Sequence, residues 1–271
     1  MRLSKIIAGS SVSYMPFTLG DALEGISRAG YRYIDLTCSP GLSEHAPLGM
    51  DQAQFETFRS DLERHNLKVS SLNAHTGLMS KEGIELAKRT IDLAVRLGAT
   101  GVVNSIAGAH GHDEDLSQFI NQVGEAGDYA REHGVMIGIE VHGNYTGNGK
   151  DSLAVIREVN HPHVKIAYDT ANCVYYGDAW PYEDLEVALP EIAFIHLKDK
   201  IGGKGVWNFP PVGSGEVDFK RVLKILADGG YTGPLSIEME FDDKGWPPVE
   251  TVHEIVASTY RYLMPLLEAH W

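Results

Sequence analysis

The feature that most constrains this chain is an alternation. Short runs rich in β-branched residues are followed, eight times over, by amphipathic stretches of helical length. Leu3–Ala8, Tyr33–Leu36, Lys68–Leu72, Gly101–Ser105, Met136–Val141, Val164–Tyr168, Ala193–Leu197 and Leu235–Met239 read as strands. Leu19–Ala29, Asp51–His65, Lys81–Leu97, Asp115–His133, Ser152–Val159, Tyr182–Ala188, Phe219–Gly229 and Pro248–Glu268 read as the helices that follow them. Apolar residues recur in the helices at intervals of three and four, with Ile84, Ala87, Ile91 and Val95 beside Leu86, Leu93 and Leu97 as the clearest stripe. Gly30, Gly98, Gly134 and Gly230 stand where a helix should end in a left-handed residue before the next strand. Strict alternation predicts a parallel sheet. An open doubly wound sheet would want a glycine-rich dinucleotide turn after the first strand, and Gly9-Ser10-Ser11-Val12-Ser13 does not supply one. Eight units in 271 residues, close to the roughly 250 such barrels use, predict an α/β chain folded as one (β/α)₈ barrel domain over 1–271.

Composition then narrows the partners. A net charge of −14 with scattered Lys and Arg offers little counterion release on a phosphate backbone, so nucleic acid is not expected. No run approaches the ~20 apolar residues that span a bilayer, and the first twenty residues lack the unbroken apolar stretch of a signal peptide. Cys38 and Cys173 lie far apart and fit no disulfide framework, as expected of reduced thiols in a cytoplasmic protein.

In a barrel of this kind the chemistry sits where strands end and βα loops begin. Glu140 closes the fifth expected strand, Asp169 the sixth, His196 the seventh, and Glu238 belongs to the eighth. Three carboxylates and an imidazole converging on one mouth repel one another without a cation. Three oxygen donors and one nitrogen suit Mn²⁺, Mg²⁺ or Co²⁺, with Zn²⁺ also open, at one ion per chain.

The run Glu140 … Asp169-Thr170-Ala171-Asn172 … His196-Leu197-Lys198-Asp199 … Gly213-Ser214-Gly215-Glu216-Val217-Asp218-Phe219 … Glu238 resembles the xylose isomerase-like superfamily of TIM barrels. The resemblance covers essentially the whole chain. It is greatest to the branch of ketose 3-epimerases, inosose-converting enzymes and hydroxypyruvate isomerases. It implies a metal bound by Glu140, Asp169, His196 and Glu238, with the two glutamates exchanging a proton with a substrate carbon beside a carbonyl. A divalent ion stabilises the enediolate charge as a Lewis acid, while two carboxylates serve as general base and general acid. The expected substrate is a small keto-sugar or polyol, mildly favoured to be unphosphorylated because no glycine-rich phosphate cradle or arginine cluster is legible.

Further residues qualify as substrate contacts. His75 ends the third expected strand. His142 follows Glu140 by two and shares its face, as Lys198 does with His196. Each could instead be a structural hydrogen bonder or ion pair. Trp207 lies in the segment Asp199–Val217, which reads as a long irregular loop able to cap a site or meet another subunit. Trp246 and Trp271, in a loop and at the terminus, make a homo-oligomer plausible. His110 and His112 read as solvated loop histidines rather than a second metal pair. Cys173 has no dedicated base beside it.

Asn172 stands where many ketose 3-epimerases carry a histidine, and Lys200 and Lys204 where they tend to carry an arginine. A lyase, either an inosose-type dehydratase or a keto-sugar-acid decarboxylase, therefore stays open on the same metal site. A DNA-repair endonuclease with a trinuclear zinc cluster, and a non-catalytic sugar-binding barrel, are the remaining alternatives.

Overall fold

Neighbouring registers carry the alternating elements into closure. In a computed structural model that describes residues 3, 5–99, 101–106 and 116–270, eight parallel strands form a closed barrel: β1 (Ile7–Ser10), β2 (Tyr33–Thr37), β3 (Lys68–Gly77), β4 (Val102–Ile106), β5 (Met136–Glu140), β6 (Val164–Asp169), β7 (Ile192–Leu197) and β9 (Leu235–Ile237). β9 pairs with both β7 and β1, so no edge remains. The outer helices are α1 (Leu19–Ala29), α2 (Gln52–Arg64), α3 (Lys81–Leu97), α4 (Leu116–Glu132), α5 (Gly149–Val159), α7 (Glu183–Ala188), α8 (Phe219–Asp228) and α9 (Val249–Glu268). No helix among the described residues is long and apolar enough to cross a membrane.

Local chemistry explains the helix ends. Thr18 and Asp21 cap α1 reciprocally, as Asp51 and Gln54 cap α2, satisfying N–H groups that have no partner within the helix. Gly30 and Gly98 close α1 and α3 with φ of +110° and +62°, where a side chain would be strained. Gly134 and Gly230 have the same left-handed conformation after α4 and α8.

Four expectations are corrected. The first strand is not Leu3–Ala8 but Ile7–Ser10, because Ile7, Ala8 and Gly9 are the residues that pair with β9. α5 starts at Gly149 rather than Ser152, because the Asn148 side chain caps its first turn. Val95 is 47% exposed, so the buried face of α3 runs through Ile84, Ala87, Ile91 and Ala94 instead. The segment after β7 is not irregular. Asn208–Phe209 (β8) pairs antiparallel with Phe241–Asp242 (β10), and a four-residue helix, α6 (Asn172–Tyr175), follows β6.

The loop over the mouth is built around one carboxylate. Buried Asp199 accepts from the backbone N–H groups of Lys200, Gly213 and Gly215 at 2.8 Å each and of Val217 at 3.1 Å. Lys200 Nζ donates to the carbonyls of Ile201 and Val206 at 2.6 and 2.7 Å. These bonds satisfy backbone groups that a buried loop would otherwise leave unpaired. Lys200 is thereby a strut within the loop.

Inside the barrel, Ala167 and Phe194 pack with Met136 as a small cluster separate from the main core. Phe194 and His196 lie two apart on β7, hence on one face, with ring centroids 4.9 Å apart. An apolar plug thus underlies His196, and polar side chains begin above it.

Candidate metal centre

Strand periodicity and register together assemble the site. β6 and β7 place Asp169 opposite His196, β7 and β9 place His196 opposite Ser236, and β2 and β3 place Asp35 opposite Ser71. Glu140 ends β5, and Glu238 directly follows β9. The structure brings Glu140, Asp169, His196 and Glu238 together, each at most 4% exposed. His196 Nδ1 is 3.2 Å from Glu140 Oε1 and 3.9 Å from Asp169 Oδ2, whereas Nε2 is 3.5 Å from Glu238 Oε2. Ligands around an ion at about 2.0–2.2 Å stand roughly 3–3.5 Å from one another, so the spacing of Nδ1 and Glu140 suits a cation, while Glu238 lies against the other ring nitrogen.

Hydrogen bonding supports the same fit. Asp169 Oδ1 accepts from the N–H groups of Ala171 and Asn172 at 2.8 Å each. Its Oδ2 is buried and accepts no hydrogen bond from a described residue. An orphaned buried carboxylate oxygen is costly unless a cation completes it. Glu140, Asp169 and His196 form one group that could hold a metal ion, and Asp35, His196 and Glu238 form another.

The buried acids and the imidazole shift one another's proton affinities strongly. Burial pushes the Asp169 carboxyl up to about 7, with Lys198 and His196 opposing it and Glu238 and Glu140 reinforcing it. Burial also pushes Glu140 up, but the hydrogen bond and charge of His196, with His142 and His75, carry it well below the usual carboxylate range. Burial disfavours charge on His196, yet Glu238, Asp35 and Glu140 raise it well above the usual imidazole value.

A cavity of about 410 Å³ opens above these residues, within the size range of small-ligand sites. His75, His142, Lys198 and Trp207 all line it. His75 adopts φ +44°, a strained conformation for a non-glycine residue, and its Nδ1 is 3.8 Å from Glu140 Oε2. His142 Nε2 bonds the Tyr176 hydroxyl at 2.8 Å. Lys198 Nζ donates to Glu238 Oε1 at 3.1 Å and to Asn172 Oδ1 at 3.4 Å, pairs closely with Glu240, and lies 4.5 Å from the Phe209 ring centre. Burial disfavours its charge, but Glu240, Asp169 and Glu238 hold it well above the usual lysine value. Trp207 packs edge-on against Phe209 and Tyr175. Trp246 is a cavity wall whose indole N–H donates to the Ser13 carbonyl at 2.9 Å. His110, His112 and Trp271 lie outside the described residues.

Sequence reading missed Asp35 and Glu240. The signal for Asp35 was available: Tyr33-Ile34-Asp35-Leu36 breaks, with a charge, a strand that a parallel barrel buries on both faces. Glu240 repeats the two-residue step from Glu238.

With the closed barrel and this mouth in place, comparison with known proteins identifies the class. A family model described as the xylose isomerase-like TIM barrel matches residues 23–261, and the chain belongs to that family. Among relatives, a ketose 3-epimerase of Arthrobacter globiformis is 30% identical over 212 residues, covering 70% of each chain. An inosose dehydratase of Clostridium botulinum is 28% identical over 231 residues, covering 72% of this chain and 76% of the relative. A xylose isomerase-like TIM barrel protein from Mycobacterium smegmatis, solved in complex with magnesium, superposes with a TM-score of 0.79 at 21% identity over 97% of both chains.

Proposed function

We propose that the chain is a divalent-metal-dependent isomerase or epimerase of a small keto-sugar or polyol. The observation that carries this reading is the pair Glu140 and Glu238, set on opposite ring nitrogens of buried His196 beside Asp169 Oδ2, which accepts no hydrogen bond from a described residue. Glu140, Asp169, His196 and Glu238 would hold one ion. Their hard oxygen donors favour Mn²⁺, Mg²⁺ or Co²⁺, and the magnesium-bound relative supports a divalent ion. When bound, such an ion supplies Lewis acidity to a carbonyl oxygen.

The chain's own residues do the rest. One glutamate removes the proton beside the carbonyl, and the other returns a proton to the same or the neighbouring carbon. His75 and His142, on the cavity wall, orient substrate hydroxyls. Trp207 and Phe209 limit access of water from above. Lys198, the lysine or arginine that lines the cavity among the described residues, is already engaged by Glu238, Glu240 and Asp169, which supports an uncharged sugar over a phosphate ester. Free, buried Cys38 and Cys173 accord with a cytoplasmic setting.

One observation favours a second reading, a lyase. Glu240, whose carboxyl burial pushes up, faces the cavity with the Lys198 ammonium beside Glu238. This adds an acid that can protonate a departing hydroxyl.

The test is a metal-supplemented incubation in D₂O with ketoses, inososes and keto-sugar acids, read by mass and NMR. An isomerase conserves substrate mass apart from deuterium gained at carbon. Loss of water or CO₂ selects the lyase, and no deuterium uptake or turnover on any of these substrates with any of the three metals rejects both.

A further inference from the structure

His196 offers its two nitrogens to two competing sets of carboxylates, and a neutral imidazole has only one lone pair to give. In each set, Glu140–Asp169–His196 or Asp35–His196–Glu238, the ligand atoms lie within 4.8 Å of one another. Distance alone does not choose between them, but hydrogen bonding does.

Asp35 is fully buried and already supplied with donors. Ser71 Oγ donates to its Oδ1 at 2.6 Å, and Ser236 Oγ donates to its Oδ2 at 3.2 Å. The same Oδ2 lies 3.2 Å from His196 Nε2. The two serines come from β3 and β9, at positions register-paired to Asp35 and His196 themselves. They anchor the carboxylate in the barrel interior. Across the ring, Asp169 Oδ2 has no such donor.

We propose that Asp35 is a positioning residue that accepts the Nε2–H of His196, so that the Nδ1 lone pair faces Glu140 and Asp169 and receives the cation. A carboxylate on the far nitrogen fixes the tautomer and ring rotation of a metal-ligating histidine and raises its basicity. The serine anchors keep Asp35 from becoming a ligand itself. This inference rests on the metal-dependent reading of the site.

The test loads ¹⁵N-histidine-labelled protein with ¹¹³Cd²⁺ and reads both His196 nitrogens by NMR. The expected result is ¹¹³Cd coupling to Nδ1 with the proton retained on Nε2. In parallel, Asp35→Asn should bind Mn²⁺ roughly 10–100-fold more weakly, and Ser236→Ala should lose less. Cadmium coupled through Nε2, or an Asp35→Asn protein with wild-type Mn²⁺ affinity, overturns the proposal while leaving the metal site standing. Cadmium coupled to neither nitrogen removes the metal site and this inference together. The wild-type spectrum decides even if Asp35→Asn fails to fold.

Discussion

Glu140 and Asp169 are both buried carboxyls beside one imidazole, yet their acidities diverge. His196 bonds directly to Glu140 and keeps it ionised, whereas Asp169 has one oxygen tied to two backbone N–H groups and the other without a hydrogen bond, 3.8 Å from Lys198 Nζ. In the metal-free protein burial pushes the Asp169 carboxyl from an ordinary 3.8 up to about 7. A carboxyl raised in this way contributes stability that is present below the unfolded value and is lost as pH rises through the folded one. A cation must displace the carboxyl proton and the one on His196, so metal affinity should rise between pH 5 and 8. Calorimetric titration of Mn²⁺ across that range checks it, and a flat affinity would contradict the electrostatics. Replacing Glu140 or Glu238 with Gln preserves shape and removes the proton acceptor. Each change should lower substrate C–H exchange by roughly 10²–10⁴-fold, measured by deuterium uptake under saturating metal. Asp35 was visible in the sequence only as a charge interrupting an apolar strand. Its partners Ser71 and Ser236 were not visible, because serine carries no signal of its own.

The segment after β7 shows how an element can be hidden in a stretch of glycines and prolines. Its order comes from Asp199, the residue directly after Lys198, which gathers four backbone N–H groups. It comes also from β8, whose pairing partner β10 lies on the far side of β9. Gly215 has to be glycine: a Cβ there would sit 2.3 Å from Asp199 Oδ1 and 2.7 Å from the Lys200 carbonyl. Gly215→Ala should therefore break part of this clamp. Leaving one such N–H unsatisfied costs about 1–3 kcal/mol. A lower melting temperature, faster proteolysis within 199–217 and a raised KM are expected. Unchanged values in all three would mean that the loop is held by other contacts. The turns were more legible, because a capping pair such as Thr18 and Asp21 acts over three residues and needs no distant partner.

At the scale of the whole molecule, the barrel holds three acidic ligand candidates, His196 and Asp35 at one mouth, above an apolar plug. A cation that binds only the folded chain stabilises it by about 2.7 kcal/mol at a hundred times its Kd. At roughly 2–4 °C per kcal/mol for a domain of this size, saturating Mn²⁺ should raise the melting temperature by about 5–10 °C. Asp169→Asn should lose most of that gain, as scanning calorimetry with and without chelator would show. Glu140, Asp169, His196 and Glu238 lie at or near the ends of apolar strands, and a barrel sends every strand end to one face, so their proximity was legible in the sequence.

The sequence by itself determined the repeating βα units and the residue types they carry, since these depend on contacts within a few residues. Only the tertiary structure decided which carboxylate meets which nitrogen of His196, that Asp35 stands behind it, and that β8 and β10 join over the mouth. Those outcomes depend on strand register and barrel closure between residues 161 positions apart in the case of Asp35 and His196. No local pattern encodes a pairing at that separation.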